Sequence, residues 1–145
     1  MFIRRHMKIT ICGSMSFWME MRAVKDGLEI LGHEVLVPID TFSDEMPIEA
    51  RTDIADEVKI SAKIEYDFIR EHFKKIEESD AILVLNYEKK GVEGYIGGNT
   101  FLEMGHAYGL GKKIFLMNPV PEMNYSIEMH SMQPVVVDRD ITKIA

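Results

Sequence analysis

Asp80-Ala81-Ile82-Leu83-Val84-Leu85 is the stretch that decides the fold of this chain. It is a short apolar run with no polar alternation, the pattern of a strand covered on both faces, and such strands belong to parallel sheets. Working outward, Lys8-Ile9-Thr10-Ile11-Cys12 and Lys113-Ile114-Phe115-Leu116-Met117 read as further strands. Glu34-Val35-Leu36-Val37, closed by Pro38, and a short final Val135-Val136-Val137 complete five.

Helical patterns lie between them. Met21, Val24, Leu28 and Leu31 recur at helical spacing over about Phe17 to Leu31, and Gly32 is a good stop. Thr52 to Glu78 is a long helical stretch through Ile60, Ile64, Phe68, Phe73 and Ile76, and a slip in its period near Ser61 admits two helices. A further helix runs from about Thr100 to Leu110 before Gly111, and Tyr125 to Met132 suits a short one. Ile39 to Arg51, with Pro47, reads as a loop, as does the segment holding Pro119 and Pro121.

Strands alternating with helices predict a three-layer α/β domain over residues 1–145, flavodoxin-like or Rossmann-like, with a parallel five-stranded sheet of order 2-1-3-4-5. Ligands of such sheets bind beyond the strand C-termini where the order reverses, between strands one and three. The loops meeting there are Gly13-Ser14-Met15-Ser16 and Asn86 to Asn99, the latter carrying Gly91, Gly94, Gly97 and Gly98.

Composition narrows the partners. Hydrophobic residues are 46% and charged residues 28%, a globular balance. With 24 acidic and 17 basic residues the net charge is -7, which disfavours a nucleic-acid polymer but leaves room for a small anion bound by backbone amides. Cys12 stands as a lone cysteine, so no internal disulfide forms, and a reducing cytoplasm is the expected compartment. No Cys/His spacing suggests zinc, and no window nears the ~18 apolar residues of a membrane helix. Met1 to His6 lacks a signal peptide's apolar core, and the periodic sequence begins at Met7.

Two stretches carry chemistry. Gly13-Ser14-Met15-Ser16 lets the backbone turn close to a ligand and offers hydroxyls and amides to an anion; equally, it is a strand-to-helix turn with a serine cap. It matches neither a Walker A loop nor the G-x-G-x-x-G fingerprint. In Gly94-Tyr95-Ile96-Gly97-Gly98-Asn99-Thr100-Phe101-Leu102-Glu103, Thr100 and Glu103 have the spacing of a capping box. Against that structural role, the pair sits at the switch point after a long glycine loop, and a carboxylate in the helix's first turn there can point into the crevice. Such a carboxylate can act as a general base or attack an anomeric carbon, forming a covalent glycosyl-enzyme. Tyr95 could stack on a base. Weaker readings attach to His106, one turn past Glu103, to His72 and Asp67 on the long helix, and to His130. Lys89 and Lys90 read as solvated loop charges, and Tyr125, Ser126 and Ser131 as a loop able to reach a neighbouring subunit.

Ile11-Cys12-Gly13-Ser14-Met15, Ser79 to Leu85 and Gly98-Asn99-Thr100-Phe101-Leu102-Glu103-Met104-Gly105-His106-Ala107, in that order, resemble the nucleoside 2-deoxyribosyltransferase superfamily, which includes the 2'-deoxynucleoside 5'-phosphate N-hydrolases. The resemblance spans about Met7 to Val137 and implies a flavodoxin-like fold acting at an N-glycosidic bond. It implies Glu103 as nucleophile, Ser14 at a 5'-phosphate, and a pocket completed by a second subunit through Ser126 or Ser131, hence a homodimer or larger assembly. The pattern departs at four positions. His72 stands nearest the place of an aspartate that orients or protonates the base. Gly97 replaces an aspartate or serine, Ser16 an arginine, and Thr10 a tyrosine. Gly97-Gly98-Asn99-Thr100-x-x-Glu103 also resembles the cytokinin-activating phosphoribohydrolases (the Lonely Guy family), short of one glycine and the preceding proline.

The expectation is therefore an N-glycosidase or deoxyribosyltransferase-like enzyme acting on a nucleoside or its 5'-monophosphate. Glu103 is catalytic. The substrate is lined by Gly13, Ser14, Ser16, His72, Tyr95, Gly97, Gly98, Asn99 and Ser126. Neither metal nor cofactor is expected, because a protonated base departs unaided. A non-catalytic nucleotide sensor using the same crevice is the alternative from another class.

Overall fold

Every residue of β3 (Ala81–Leu85) is fully buried, and it is the central strand of the sheet. The computed structural model describes residues 6–38 and 46–145, with backbone alone at Glu49, Glu65 and Tyr66; most of the expected loop from Ile39 to Arg51 lies outside the described residues. Around β3 stand β1 (Lys8–Gly13), β2 (Glu34–Leu36), β4 (Lys113–Leu116) and β5 (Val135–Val136). All pairs are parallel and the order is β2-β1-β3-β4-β5, as the alternating pattern predicts.

The two-residue period of the strands sorts side chains into two cores. Ile9 and Ile11 of β1 and Leu83 and Leu85 of β3 pack with Met21 and Leu28 of α1 (Trp18–Ile30). Cys12, Ile82 and Val84 pack on the opposite face, against Ile76 of α3 (Phe68–Glu77), Met104 and Ala107 of α4 (Gly98–Gly109), and Met129 of α5 (Ser126–Ser131). Thr10, in phase with Cys12, is likewise buried toward α3, where its hydroxyl meets Ser79 Oγ at 2.6 Å and donates to the Lys75 carbonyl at 3.1 Å.

The long helical stretch divides into α2 (Asp56–Tyr66) and α3, but the break falls at Asp67 rather than near Ser61. Asp67 adopts φ 47° and ψ 49°, a left-handed conformation that aspartate tolerates better than most residues, and its carboxylate takes Arg70 Nη1 at 2.7 Å. Chain geometry, not apolar spacing, sets that boundary. The stretch also begins four residues later than expected, at Asp56, while the other expected elements shift by one or two residues at their ends. Among the described residues no helix is long and apolar enough to cross a membrane.

Asn86 anchors the C-terminal edge of the sheet. It is fully buried; its Nδ2 donates to the Asn118 and Pro119 carbonyls at 2.8 and 3.2 Å, and its Oδ1 accepts from Asn118 N at 3.0 Å. These bonds tie the loop leaving β3 to the loop leaving β4. Asn86→Ala removes all three and leaves the Asn118 amide unpaired. We expect a loss of about 2–3 kcal/mol of stability, read as a lowered thermal-denaturation midpoint.

Candidate active site

β1 and β3 end together at the switch point, with Cys12 opposite Val84 and Gly13 opposite Leu85. Gly13 has φ +153°, and a Cβ there would stand 3.0 Å from the Leu85 carbonyl oxygen, so the two strand ends close together only around a glycine. Ser14 then caps a single 3-10 turn (Met15–Phe17) that leads into α1, its Oγ accepting from Ser16 N at 3.3 Å. Beyond these strand ends lies a cavity of about 210 Å³. Its walls are Gly13 to Met15, Pro38, the α3 residues from Phe68 to Phe73 except Arg70, the loop residues Lys89, Tyr95 and Gly97, and α4 from Gly98 to Glu103 except Phe101.

Glu103 lies deeper along its helix than its spacing from Thr100 suggests. α4 starts at Gly98, capped by Gly97, whose carbonyl accepts from Phe101 N at 2.9 Å. Thr100 is therefore a buried residue inside the first turn, not the cap, and Glu103 sits in the second turn. The capping-box reading is overturned: with glycines at the helix start, the chain enters helical geometry two residues early. Glu103 Oε2 is instead buried, makes no hydrogen bond, and stands 3.2 Å from His72 Nε2. The same nitrogen is 3.5 Å from Cys12 Sγ. His72 Nδ1 is also buried and without a hydrogen bond. Burial, and then the neighbouring Glu103 carboxylate, push the Cys12 thiol well above its usual range, so it stays protonated.

Lys89 commands the other part of the cavity. Its ammonium donates to Ser14 Oγ at 2.7 Å and lies over the Tyr95 ring, 5.4 Å from its centroid. No carboxylate pairs with it among the described residues. Partial burial, then the charges of Lys90 and Lys59, hold its pKa below the ordinary lysine value. The local backbone brings it there: Lys89 and Val92 exchange both amide bonds, at 3.1 and 3.0 Å, across a tight turn whose central Lys90 and Gly91 both have positive φ. Tyr95 N then donates to the Tyr87 carbonyl at 2.9 Å, folding the loop back on itself.

Of the residues expected around a ligand, Gly13, Ser14, His72, Tyr95, Gly97, Gly98, Asn99 and Glu103 all line this one cavity. Ser16 is exposed on the 3-10 turn and does not line it. Ser126 lies elsewhere in the chain, its hydroxyl closing the turn before α5 with bonds to Met123 N, at 2.7 Å, and the Pro121 carbonyl, at 2.6 Å. Ser131 Oγ donates within its own helix to Ile127. His106 stacks on Phe73 at 4.2 Å and contacts Glu77 Oε1 at 3.1 Å, away from the cavity. Lys90 remains an exposed loop charge.

Three neighbours were not legible as site residues. Cys12 read as a strand end, a lone cysteine and part of the Gly-Ser turn motif, and strand periodicity alone does not say which layer of helices it faces. Lys89 read as solvated because nothing local marks the backbone turn that returns it to Ser14. Glu71 lines the cavity one position before His72 and gave no signal in the sequence.

The solved structures similar to this chain include the following two. A 2-deoxyribosyltransferase from the psychrotolerant bacterium Bacillus psychrosaccharolyticus is 20% identical, with 75% of this chain and 70% of that one covered and a TM-score of 0.44. A CMP N-glycosidase from Clostridium botulinum is 16% identical, with 86% and 81% covered and a TM-score of 0.47. No protein-family model and no curated protein matches the chain.

If Glu103 contributes nothing to helix capping, its isosteric replacement is harmless to the fold. Glu103→Gln is expected to leave the unfolding free energy unchanged or slightly raised, because a desolvated carboxylate without a hydrogen bond is removed. A loss above about 1 kcal/mol in denaturant titration would return Glu103 to a structural role.

Proposed function

We propose that this protein cleaves or transfers at the N-glycosidic bond of a nucleoside 5'-monophosphate, with Glu103 as the nucleophile. The observation that supports it most is Glu103 Oε2: a carboxylate oxygen, buried, without a hydrogen bond, on the wall of the switch-point cavity. Leaving such an atom unpaired costs stability. A site that does so keeps a lone pair ready for an electrophile. The resemblance of its helix start to a family of N-glycosidic enzymes points the same way.

In this reading the sugar lies across α4's first turns, with Asn99 and Gly98 beside it and the base near Tyr95. Glu103 attacks C1' as the C1'–N bond breaks, and the bonding electrons leave with the base. A proton delivered to the base makes it a neutral leaving group; Glu71, the second carboxylate lining the cavity, is the donor we assign. The glycosyl–Glu103 ester is then resolved by water or by another base, giving net retention. His72 stands beside the carboxylate, its Nε2 3.2 Å from Oε2.

Lys89 supports a phosphorylated substrate. A partly buried ammonium with a hydroxyl rather than a carboxylate as neighbour is a site for an anion, and Ser14 Oγ sits beside it at 2.7 Å. This cation stands in a cavity that lacks the arginine of the resembled N-hydrolases, since Ser16 replaces it. The cavity, at about 210 Å³, is smaller than the roughly 300–1,000 Å³ of usual ligand pockets, and exposed Ile69 and Leu102 line it. We infer that a second copy of the chain closes this apolar rim, so the enzyme works as a homodimer or larger assembly.

A chromatographic screen for released base tests the reaction. Deoxyribonucleosides, ribonucleosides and their 5'-monophosphates are incubated with and without an acceptor base. Release is expected from a 5'-monophosphate and lost in Glu103→Gln. Release that persists in Glu103→Gln would overturn the nucleophile; binding without release would favour a nucleotide sensor. Lys89→Ala tests the 5' end separately. Losing a hydrogen bond to a charged group, about 1.5–3 kcal/mol, is expected to lower kcat/KM for the monophosphate by about 10–150-fold while sparing the matching nucleoside. Equal losses on both substrates would remove Lys89 from the phosphate site.

A further inference from the structure

We propose that Cys12, His72 and Glu103 form a binding site for a thiophilic divalent cation such as zinc, and that occupation of this site switches the enzyme off. The inhibitory half rests on Glu103 as nucleophile; the binding half does not. The three side chains come from three elements, β1, α3 and α4, and their ligand atoms all lie within 4.8 Å of one another.

Two of the three separations match a tetrahedral ion, and the third, between sulfur and carboxylate, is within 4.8 Å. With metal–sulfur near 2.3 Å and metal–nitrogen or –oxygen near 2.0–2.2 Å, tetrahedral angles put sulfur and nitrogen roughly 3.5 Å apart and nitrogen and oxygen about 3.3 Å apart. Cys12 Sγ and His72 Nε2 are 3.5 Å apart, and His72 Nε2 and Glu103 Oε2 are 3.2 Å apart. The second contact is not a hydrogen bond, because Oε2 has none. His72 Nε2 thus faces both a thiol and a carboxylate, and its single proton or lone pair serves only one of them. A cation placed among the three satisfies all of them at once. His72 Nδ1 is also without a hydrogen bond, so no partner among the described residues fixes which ring nitrogen carries the proton. Metal on Nε2 places it on Nδ1.

Charge balances as well. The thiol proton leaves to solvent as the metal binds, so thiolate and carboxylate together neutralise a dication, and the buried cluster carries no net charge. Thiolate with imidazole selects zinc-like ions over magnesium or calcium, which prefer oxygen alone. Three protein ligands leave a fourth position for water. With Oε2 bound to the ion, its attacking lone pair is occupied and the carboxylate can no longer reach C1'.

Cobalt(II) is the probe for the site and zinc the probe for its effect. Metal-free protein titrated with cobalt is expected to bind one equivalent and show the intense near-ultraviolet absorption of a thiolate-to-cobalt charge transfer. Cys12→Ser should abolish that band. His72→Gln should weaken zinc affinity, measured by competition with a chromophoric chelator, by more than the roughly 10–100-fold that removing an outer hydrogen-bond partner costs. Far-ultraviolet circular dichroism establishes that each variant is folded, and Glu103→Gln, the isosteric change, serves where either is not. Absence of the band, or zinc affinity undiminished in the folded variants, would overturn the site. Base release by the chelator-treated enzyme should fall with added zinc and return with chelator. A cobalt band without base release from any substrate would sink the proposed reaction and leave the metal site standing. Base release indifferent to zinc at saturating occupancy would overturn the inhibition.

Discussion

The parallel pairing of β1 with β3 is the constraint on which the rest of this molecule depends. Its register sets Cys12 against Val84 and Gly13 against Leu85, and thereby ends both strands at one point. Because side chains alternate, the same register turns Thr10 and Cys12 toward α3 and α4, and Ile9 and Ile11 toward α1. The two cores and the cavity follow from it. A slip of one residue would bury Ile11 where Cys12 now meets His72 and carry Thr10 away from Ser79.

Within that frame the cavity is polarised. One part holds Lys89 above Ser14; the other holds Glu103 beside His72, with Glu71 also on the wall. Away from bulk water, a field between the two parts is screened less. In the reading proposed above, the anionic tail and the electron-poor anomeric carbon of the substrate meet these two parts of the cavity. Two buried cores and the Asn86 clasp surround the site that holds the Glu103 oxygen without a hydrogen bond. Local cost at a site offset by the surrounding structure is a common arrangement in enzymes.

Much of the architecture was readable because parallel sheets announce themselves. Apolar runs such as Ala81 to Leu85, alternating with helical periods, leave few topologies, and the observed strand order is among the simplest. Boundaries were less readable. The break at Asp67 depends on one left-handed residue, which apolar spacing does not report. The start of α4 was misplaced because Thr100 and Glu103 carry capping-box spacing, while Gly97 and Gly98 lack side chains that advertise a cap. The glycine loop was legible as a site, yet its lysine was not, since the turn through Lys90 and Gly91 is a backbone event.

What the sequence by itself determined is the layering, the strand order and the place of the crevice, for these follow from periodicity and from the punctuation of glycine and proline. It also singled out Glu103, through its position after a glycine-rich loop at the switch point. The tertiary structure alone decided what surrounds that glutamate. Cys12, His72 and Glu103 are far apart in the chain and meet only because β1, α3 and α4 pack on one face of the sheet. Lys89 meets Ser14 only because a loop turns back across the strand ends. Local patterns encode which face a residue takes; distances between faces arise only once the elements are packed.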